Sequence, residues 1–399
     1  VREHGYSSFL TPGSLRYSSY NHWIKGQLVS ADARDLKFIF IFIDGFGTVF
    51  FDKFKRASPL IRRFLSGGSV EEAVSQFPST TACHLTTIHF AQPVGSTGIF
   101  EWNYYEPLAD GIISPLLFSR AGDKERETLR SEGFEGRNLF PFMTFYEHLR
   151  VAGVPSYVFQ SSDYCPSSFS DSAFRGSTVI THKTQLEGIA NLAKQVEQHD
   201  GRGYFFIYLD GFDAAGHKFG PHSVEASRAL LRILEQIETH LVRQLSGEKG
   251  VRLMISADHG QVEVSPDRTV YIDKEIPESL SWLRCNSRGE PLVAGGSARD
   301  FFLYIKPEFM TTALDILSDR LSKVAYVRTV ESLIAEGYFG EVSGITQRLR
   351  DRLSELVILP FPDQSVWWSG DGRFEKNFLG NHGGLAPDEV QIPRLVMDL

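Results

Sequence analysis

Asp213 and His217 stand four residues apart in the stretch Tyr208-Leu209-Asp210-Gly211-Phe212-Asp213-Ala214-Ala215-Gly216-His217. One helical turn would point both side chains the same way, so a carboxylate oxygen and an imidazole nitrogen could grip one cation. Such an oxygen and nitrogen donor set suits zinc, with manganese as the second choice. Gly216 and the Gly220-Pro221 pair predict a loop at a strand end rather than a long helix. An Asp and a His at this spacing are ordinary on a helix surface, so their company elsewhere decides the reading.

That company consists of five further stretches. Asp44 follows the apolar run Lys37–Ile43 in an Asp-Gly turn, and Asp258-His259 follows the run Val251–Ala257. Thr80 and Thr81 come just after Pro78 and before a helical pattern, placed to present a hydroxyl at the positive end of that helix. A threonine hydroxyl needs a base or a metal before it becomes a nucleophile, and helix capping is its everyday use. In the aromatic loop Gly98–Pro107, Asn103 could donate a hydrogen bond to an oxyanion, and Trp102, Tyr104 or Tyr105 could stack on a planar group. His382 sits among glycines in Gly380-Asn381-His382-Gly383-Gly384. A lone histidine there is a loop residue, but beside the other ligands it is a candidate.

The elements that must carry these groups are strands without polar alternation: Lys37–Ile43, Tyr204–Leu209 and Val251–Ala257. Such runs suit a parallel sheet covered on both faces. Each ends in a carboxylate, and in open parallel sheets the crevice lies outside the carboxyl ends of the strands. Helical patterns alternate with them, the longest carrying Leu230, Ile233, Leu234, Ile237 and Leu241 on one face. The expected fold is therefore α/β, a doubly wound, mostly parallel sheet with helices on both faces and an inserted smaller α/β segment. Its parts read as a loop-like N-terminal leader over 1–36, the main domain over 37–262, a cap-like insertion over 263–375, and a return to the main domain over 376–399. The insertion should hold strands near 300–305, 322–330 and 355–359, with a helix over 307–321.

A chain of 399 residues can bury a large core, and 42% apolar with 23% charged residues is a globular balance. With 41 basic against 49 acidic residues the net charge of -8 leaves no broad cationic field for a nucleic-acid polymer. Small anions could still bind where metals supply positive charge. Cys83, Cys165 and Cys285 are an odd number without CxxC spacing, which argues against a disulfide framework and for a reducing, cytoplasmic setting. No signal-peptide pattern is visible in Val1–Ser19, although the start at Val1 leaves a removed leader open. No apolar run approaches the roughly 20 residues of a membrane span.

Taken in order, Asp44-Gly45, Pro78-Ser79-Thr80-Thr81, Asp213-x-x-Gly216-His217 with Gly220-Pro221-x-Ser223, Ala257-Asp258-His259-Gly260 and His382-Gly383-Gly384 resemble the alkaline phosphatase superfamily. The nearest branch is the type I phosphodiesterase/nucleotide pyrophosphatase-like proteins, over about residues 37 to 397. The resemblance implies two divalent metal ions, zinc or else manganese. One would be held by Asp44, Asp258, His259 and the nucleophile oxygen, the other by Asp213, His217 and His382. It implies Thr81 as nucleophile, with Thr80 second, a phosphothreonine intermediate, and Asn103 as amide donor to the phosphoryl group. Phe90-Ala91 and Thr97-Gly98 depart from the family's Thr-Gly and His-Gly pairs. The sulfatase pattern, Cys or Ser followed by x-Pro-x-Arg, is not matched at Cys83-His84-Leu85. The expected function is hydrolysis of a small phosphate ester or nucleotide, as a phosphodiesterase. A phosphomonoesterase, with Lys376 as a source of extra charge, and a non-catalytic binding protein are the alternatives.

Overall fold

In the computed structural model residues 18–30 and 35–399 are described, so the leader reading for residues 1–17 and 31–34 lies outside the described residues. The main sheet has seven strands: β1 (Lys37–Ile43), β2 (Ser69–Val74), β3 (Ser156–Ser161), β4 (Thr178–His182), β5 (Gly203–Leu209), β6 (Val251–Ser256) and a last strand, Gln391–Asp398. Their spatial order is β2, Gln391–Asp398, β6, β1, β5, β3, β4. The run from β6 to β4 is parallel, and Gln391–Asp398 is antiparallel to both of its neighbours. All seven residues of β1 are buried, as the unbroken apolar run Lys37–Ile43 requires of a central strand. Phe40 of β1 meets Phe206 of β5 edge to face at 5.6 Å, the preferred geometry for an aromatic pair. This mostly parallel sheet with helices between its strands bears out the α/β fold class, and β1, β5 and β6 end on one side of it.

Part of the stretch read as a loop is helical. α1 (Ser18–Val29) buries Tyr20, Ile24 and Leu28, four residues apart, and Asn21 Nδ2 donates to the carbonyls of Thr87 and Ile88. Those carbonyls belong to α2 (Thr81–Phe90), all ten residues of which are buried. α3 (Gly211–Phe219) and α4 (Val224–Ile237) follow β5, and Ser223 caps α4 through the Ala226 amide. The Asp213-His217 pair thus stands on a short helix, where a loop was expected. The backbone of Asp210 at its N-cap is already right-handed helical (φ -94°, ψ -8°), so the chain turns helical directly from the strand.

Residues 295–360 form a second, antiparallel sheet with strand order β7 (Gly295–Ser297), β8 (Asp300–Leu303), β10 (Leu356–Pro360), β9 (Ala325–Thr329). The two central strands feed two cores by period-2 alternation: Phe301, Leu356 and Ile358 enter a separate cluster with Trp367, while Phe302 and Val357 join the main core. The helix expected over 307–321 spans Met310–Arg320. Among the described residues no helix is long and apolar enough to cross a membrane.

Candidate active site

The three strand-end carboxylates converge as the parallel sheet demands. Asp44 follows β1, Asp258 lies two residues beyond β6, and Asp213 stands in the first turn of α3 behind β5. Asp210 has other work: it accepts from Tyr164 Oη at 2.5 Å and from Gln185 Nε2 at 3.2 Å. The ligand atoms of Asp213, His217 and His382 lie within 4.8 Å of one another, and so do those of Asp44, Asp213 and His259. Asp213 therefore borders both groups, where the resemblance gives it to one. Asp258 lies beside the second group, its Oδ2 being 3.5 Å from His259 Nε2.

The three histidines share one arrangement. His217 Nδ1 faces the Gly380 carbonyl at 2.7 Å, His259 Nδ1 faces that of Gly260 at 2.9 Å, and His382 Nδ1 faces that of Ser79 at 3.1 Å. A carbonyl only accepts, so each Nδ1 carries the proton and each Nε2 is turned to the carboxylates. The distances are 3.1 Å from His217 to Asp213, 3.4 Å from His259 to Asp44 and 4.0 Å from His382 to Asp213. This is how a protein orients imidazoles as metal ligands. Asp44 Oδ1 and Asp258 Oδ2 are buried without a hydrogen-bond partner, acceptors that a divalent cation would satisfy. The donor set fits two such ions.

The electrostatics match. Burial, then the charges of Asp213 and Asp258, hold the Asp44 carboxyl well above the usual carboxylate range. Asp258 is raised too, first by burial. Burial also raises Asp213, but His217 and then His382 and His259 outweigh it and leave the carboxyl low. Burial lowers His259 to about 4 and His382 to about 3. Both rings are thus neutral and ready to bind.

Thr81 is the first residue of α2, and its Oγ1 lies 3.2 Å from His259 Nε2. Thr80 takes the N-cap position but makes no side-chain cap bond, and its hydroxyl is buried without a partner. Both threonines line a cavity of about 630 Å3, as do Asp44, Asp213, His217, His382 and Asn103. Asn103 Oδ1 accepts from Ser114 Oγ at 2.6 Å, which leaves the amide nitrogen free to donate. Of the three aromatics beside it, Trp102 alone lines the cavity. Tyr104 is wholly buried, and the Tyr105 hydroxyl bonds Asp110.

Sequence reasoning missed several neighbours. Tyr208 donates to Asp44 Oδ2, and Gln261 Nε2 donates to Asp213 Oδ1. A polar tip at the end of an apolar strand, and an amide next to Asp258-His259-Gly260, were the available signals. Glu101 and Asp300 form a buried pair raised chiefly by burial, and Lys376 stands in the same cavity with its ammonium 5.4 Å from the Trp367 ring centre.

The family model for Type I phosphodiesterase / nucleotide pyrophosphatase matches residues 38–385. The bis(5'-adenosyl)-triphosphatase ENPP4 of Bos taurus is 33% identical over 73 residues, 17% of this chain and 16% of that protein. Ectonucleotide pyrophosphatase/phosphodiesterase family member 1 of Mus musculus is 27% identical over 84 residues, 21% of this chain and 9% of that protein. The matched segments thus span less than a fifth of those relatives. The fold is similar to an inactive variant of murine ectonucleotide pyrophosphatase / phosphodiesterase 5 in complex with AMP, with TM-score 0.68 and 14% identity over 90% of this chain and 87% of that one. It is also similar to phosphonoacetate hydrolase from Sinorhizobium meliloti 1021 in complex with phosphonoformate, with TM-score 0.64 and 15% identity over 91% and 90%.

Proposed function

The chain belongs to the Type I phosphodiesterase / nucleotide pyrophosphatase family, and from that premise we propose that it is a two-metal hydrolase of small phosphate diesters or nucleotides. The observation that carries this reading is the set of three imidazoles, each held by Nδ1 on a backbone carbonyl with Nε2 turned to buried carboxylates. Asp44, Asp258, His259 and Thr81 Oγ1 would hold one divalent ion, and Asp213, His217 and His382 the other, zinc being the better match to a mixed imidazole and carboxylate set. When bound, such a pair supplies positive charge that lowers the pKa of a hydroxyl and of attacking water and balances charge on phosphoryl oxygens.

Thr81 Oγ1 attacks phosphorus as the bond to the leaving oxygen breaks; the hydroxyl proton passes to solvent, and solvent protonates the leaving oxygen as it departs as an alcohol. Water then hydrolyses the phosphothreonine and restores the hydroxyl. Asn103 Nδ2 donates to a phosphoryl oxygen, and Ser114 keeps the amide turned the right way. Trp102 offers a face for a planar substituent, and the 263–375 segment contributes Gly296–Ala298, Trp367 and Phe374 as a cap over the cavity.

Lys376 favours a second reading, a phosphomonoesterase, because its ammonium could balance the extra charge of a dianionic ester. One experiment decides. Protein purified without chelator is analysed for metal and assayed on bis(p-nitrophenyl) phosphate and p-nitrophenyl phosphate, before and after chelation and zinc return. Two equivalents with reversible turnover of the diester supports the first reading, and preference for the monoester supports the second. Less than one equivalent with no metal-dependent turnover overturns both.

A further inference from the structure

Two loops must be in register for the site to exist: the turn after His259 and the turn after His382. Both are tied to one buried residue, Glu389. Its Oε1 accepts the Gly384 amide at 3.1 Å and its Oε2 accepts the Ala386 amide at 3.1 Å, while its own carbonyl accepts the Gly260 amide at 2.8 Å. Arg299, on the turn between β7 and β8, clamps the same carboxylate with Nε to Oε1 at 2.9 Å and Nη2 to Oε2 at 2.8 Å. Both side chains are fully buried. Arg299 Nη1 also donates to the carbonyls of Phe361 and Gln364, at the far end of β10. The second sheet thus grips the carboxylate that holds both histidine turns.

We propose that Arg299 and Glu389 are positioning residues that set the register of the His259 and His382 turns, so that divalent-metal affinity depends on this pair. The proposal rests on the reading of His259 and His382 as metal ligands. A two-toothed guanidinium clamp fixes a carboxylate in direction as well as place. The carboxylate then has lone pairs left for two amides, which a single hydrogen bond could not align. A buried ion pair is weak as a source of stability, since well-packed apolar side chains can often replace it. Its use here is directional. Partners of this kind behind metal ligands change metal affinity by about 10–100-fold when lost.

The test separates positioning from folding. Zinc is titrated calorimetrically into metal-free wild-type protein and into Arg299→Met/Glu389→Leu, which removes both charges together, with circular dichroism and thermal unfolding in parallel. A second variant, Gly384→Ala, keeps both charged residues and displaces the carboxylate from the loop side. An added Cβ there meets Glu389 Oε2 at 2.9 Å and the Arg299 carbonyl at 3.1 Å. Both variants should bind zinc at least tenfold more weakly than wild type, with no such loss in Glu331→Gln, a carboxylate remote from the site and paired with Arg350. If Arg299→Met/Glu389→Leu fails to fold, Gly384→Ala carries the decision. A folded variant of either kind with wild-type zinc affinity overturns the proposal. Failure of the wild-type protein to bind zinc overturns the ligand reading beneath it, and the proposal with it.

Discussion

The imidazole rings of His259 and His382 lie face to face, with centroids 3.5 Å apart and planes 12° from parallel. Two imidazolium ions would repel at that distance, so the stack requires at least one neutral ring. Burial supplies the neutrality first, and His259 adds to it at His382. His217 differs, because Asp213 at 3.1 Å outweighs burial and raises it. In the metal-free protein His217 therefore keeps its proton to higher pH than the other two rings.

Zinc binding should therefore release protons, and they should come from His217 and the raised Asp44 and Asp258 carboxyls. Ligands must shed protons to bind a metal, so affinity should weaken as pH falls through these raised values. Titrations at pH 6 in buffers of different ionisation enthalpy measure the count. Release should be clear at pH 6 and shrink as pH rises. No buffer dependence at pH 6 would contradict the charge assignment.

Thr81→Ala should reduce diester turnover by at least about 10³-fold, on the scale of losing a nucleophile, with zinc stoichiometry unchanged. Thr80→Ala should act far less, since its hydroxyl lies at the N-cap without a bond to any ligand. Steady-state rates beside metal analysis check both. The opposite ranking would move the nucleophile to Thr80.

Asn103→Ala removes the amide donor and should lower kcat by about 10²–10³-fold, the range for one such donor. Ser114→Ala loses only the 2.6 Å bond that orients the amide, so its effect should be smaller and in the same direction. Equal kcat in Asn103→Ala and wild type would exclude the amide from the reaction.

The parallel core and the candidate ligands were legible because each signal was local. Unbroken apolar runs mark β1, β5 and β6; Asp44 and Asp258 directly follow two of those runs, whereas behind β5 the site takes Asp213 from the next helix and leaves Asp210 outside. His382 was legible only through its glycines and the order of motifs. The α1 stripe of Tyr20, Ile24 and Leu28 was readable at four-residue spacing, but its polar neighbours masked it. Arg299 and Glu389 had no local signal, because 90 residues separate the two halves of the pair. The same holds for Glu101 and Asp300, which come from a loop and from β8. Burial of such charges is decided by tertiary packing, which periodicity does not encode.

His89 offers a stability test away from the metal ligands. Its ring lies in α2 against Phe174 and Phe206, and its Nδ1 faces the Tyr146 hydroxyl at 2.8 Å. Burial lowers its pKa from 6.5 to about 3. The sign follows from proton uptake. Below pH 6.5 the unfolded chain takes a proton that the folded ring refuses, so the stability present above that pH is lost as pH falls toward 3. Between pH 6.5 and 5 this one group should cost about 2 kcal/mol, at 1.36 kcal/mol per pH unit. The variant His89→Gln should start less stable at pH 7.5, having lost ring contacts. Its further loss on going to pH 5 should be smaller than that of wild type by about that amount. Urea unfolding of both metal-free proteins at the two pH values measures the difference. An equal drop in both would mean that the His89 ring takes up its proton in the folded protein as readily as in the unfolded chain.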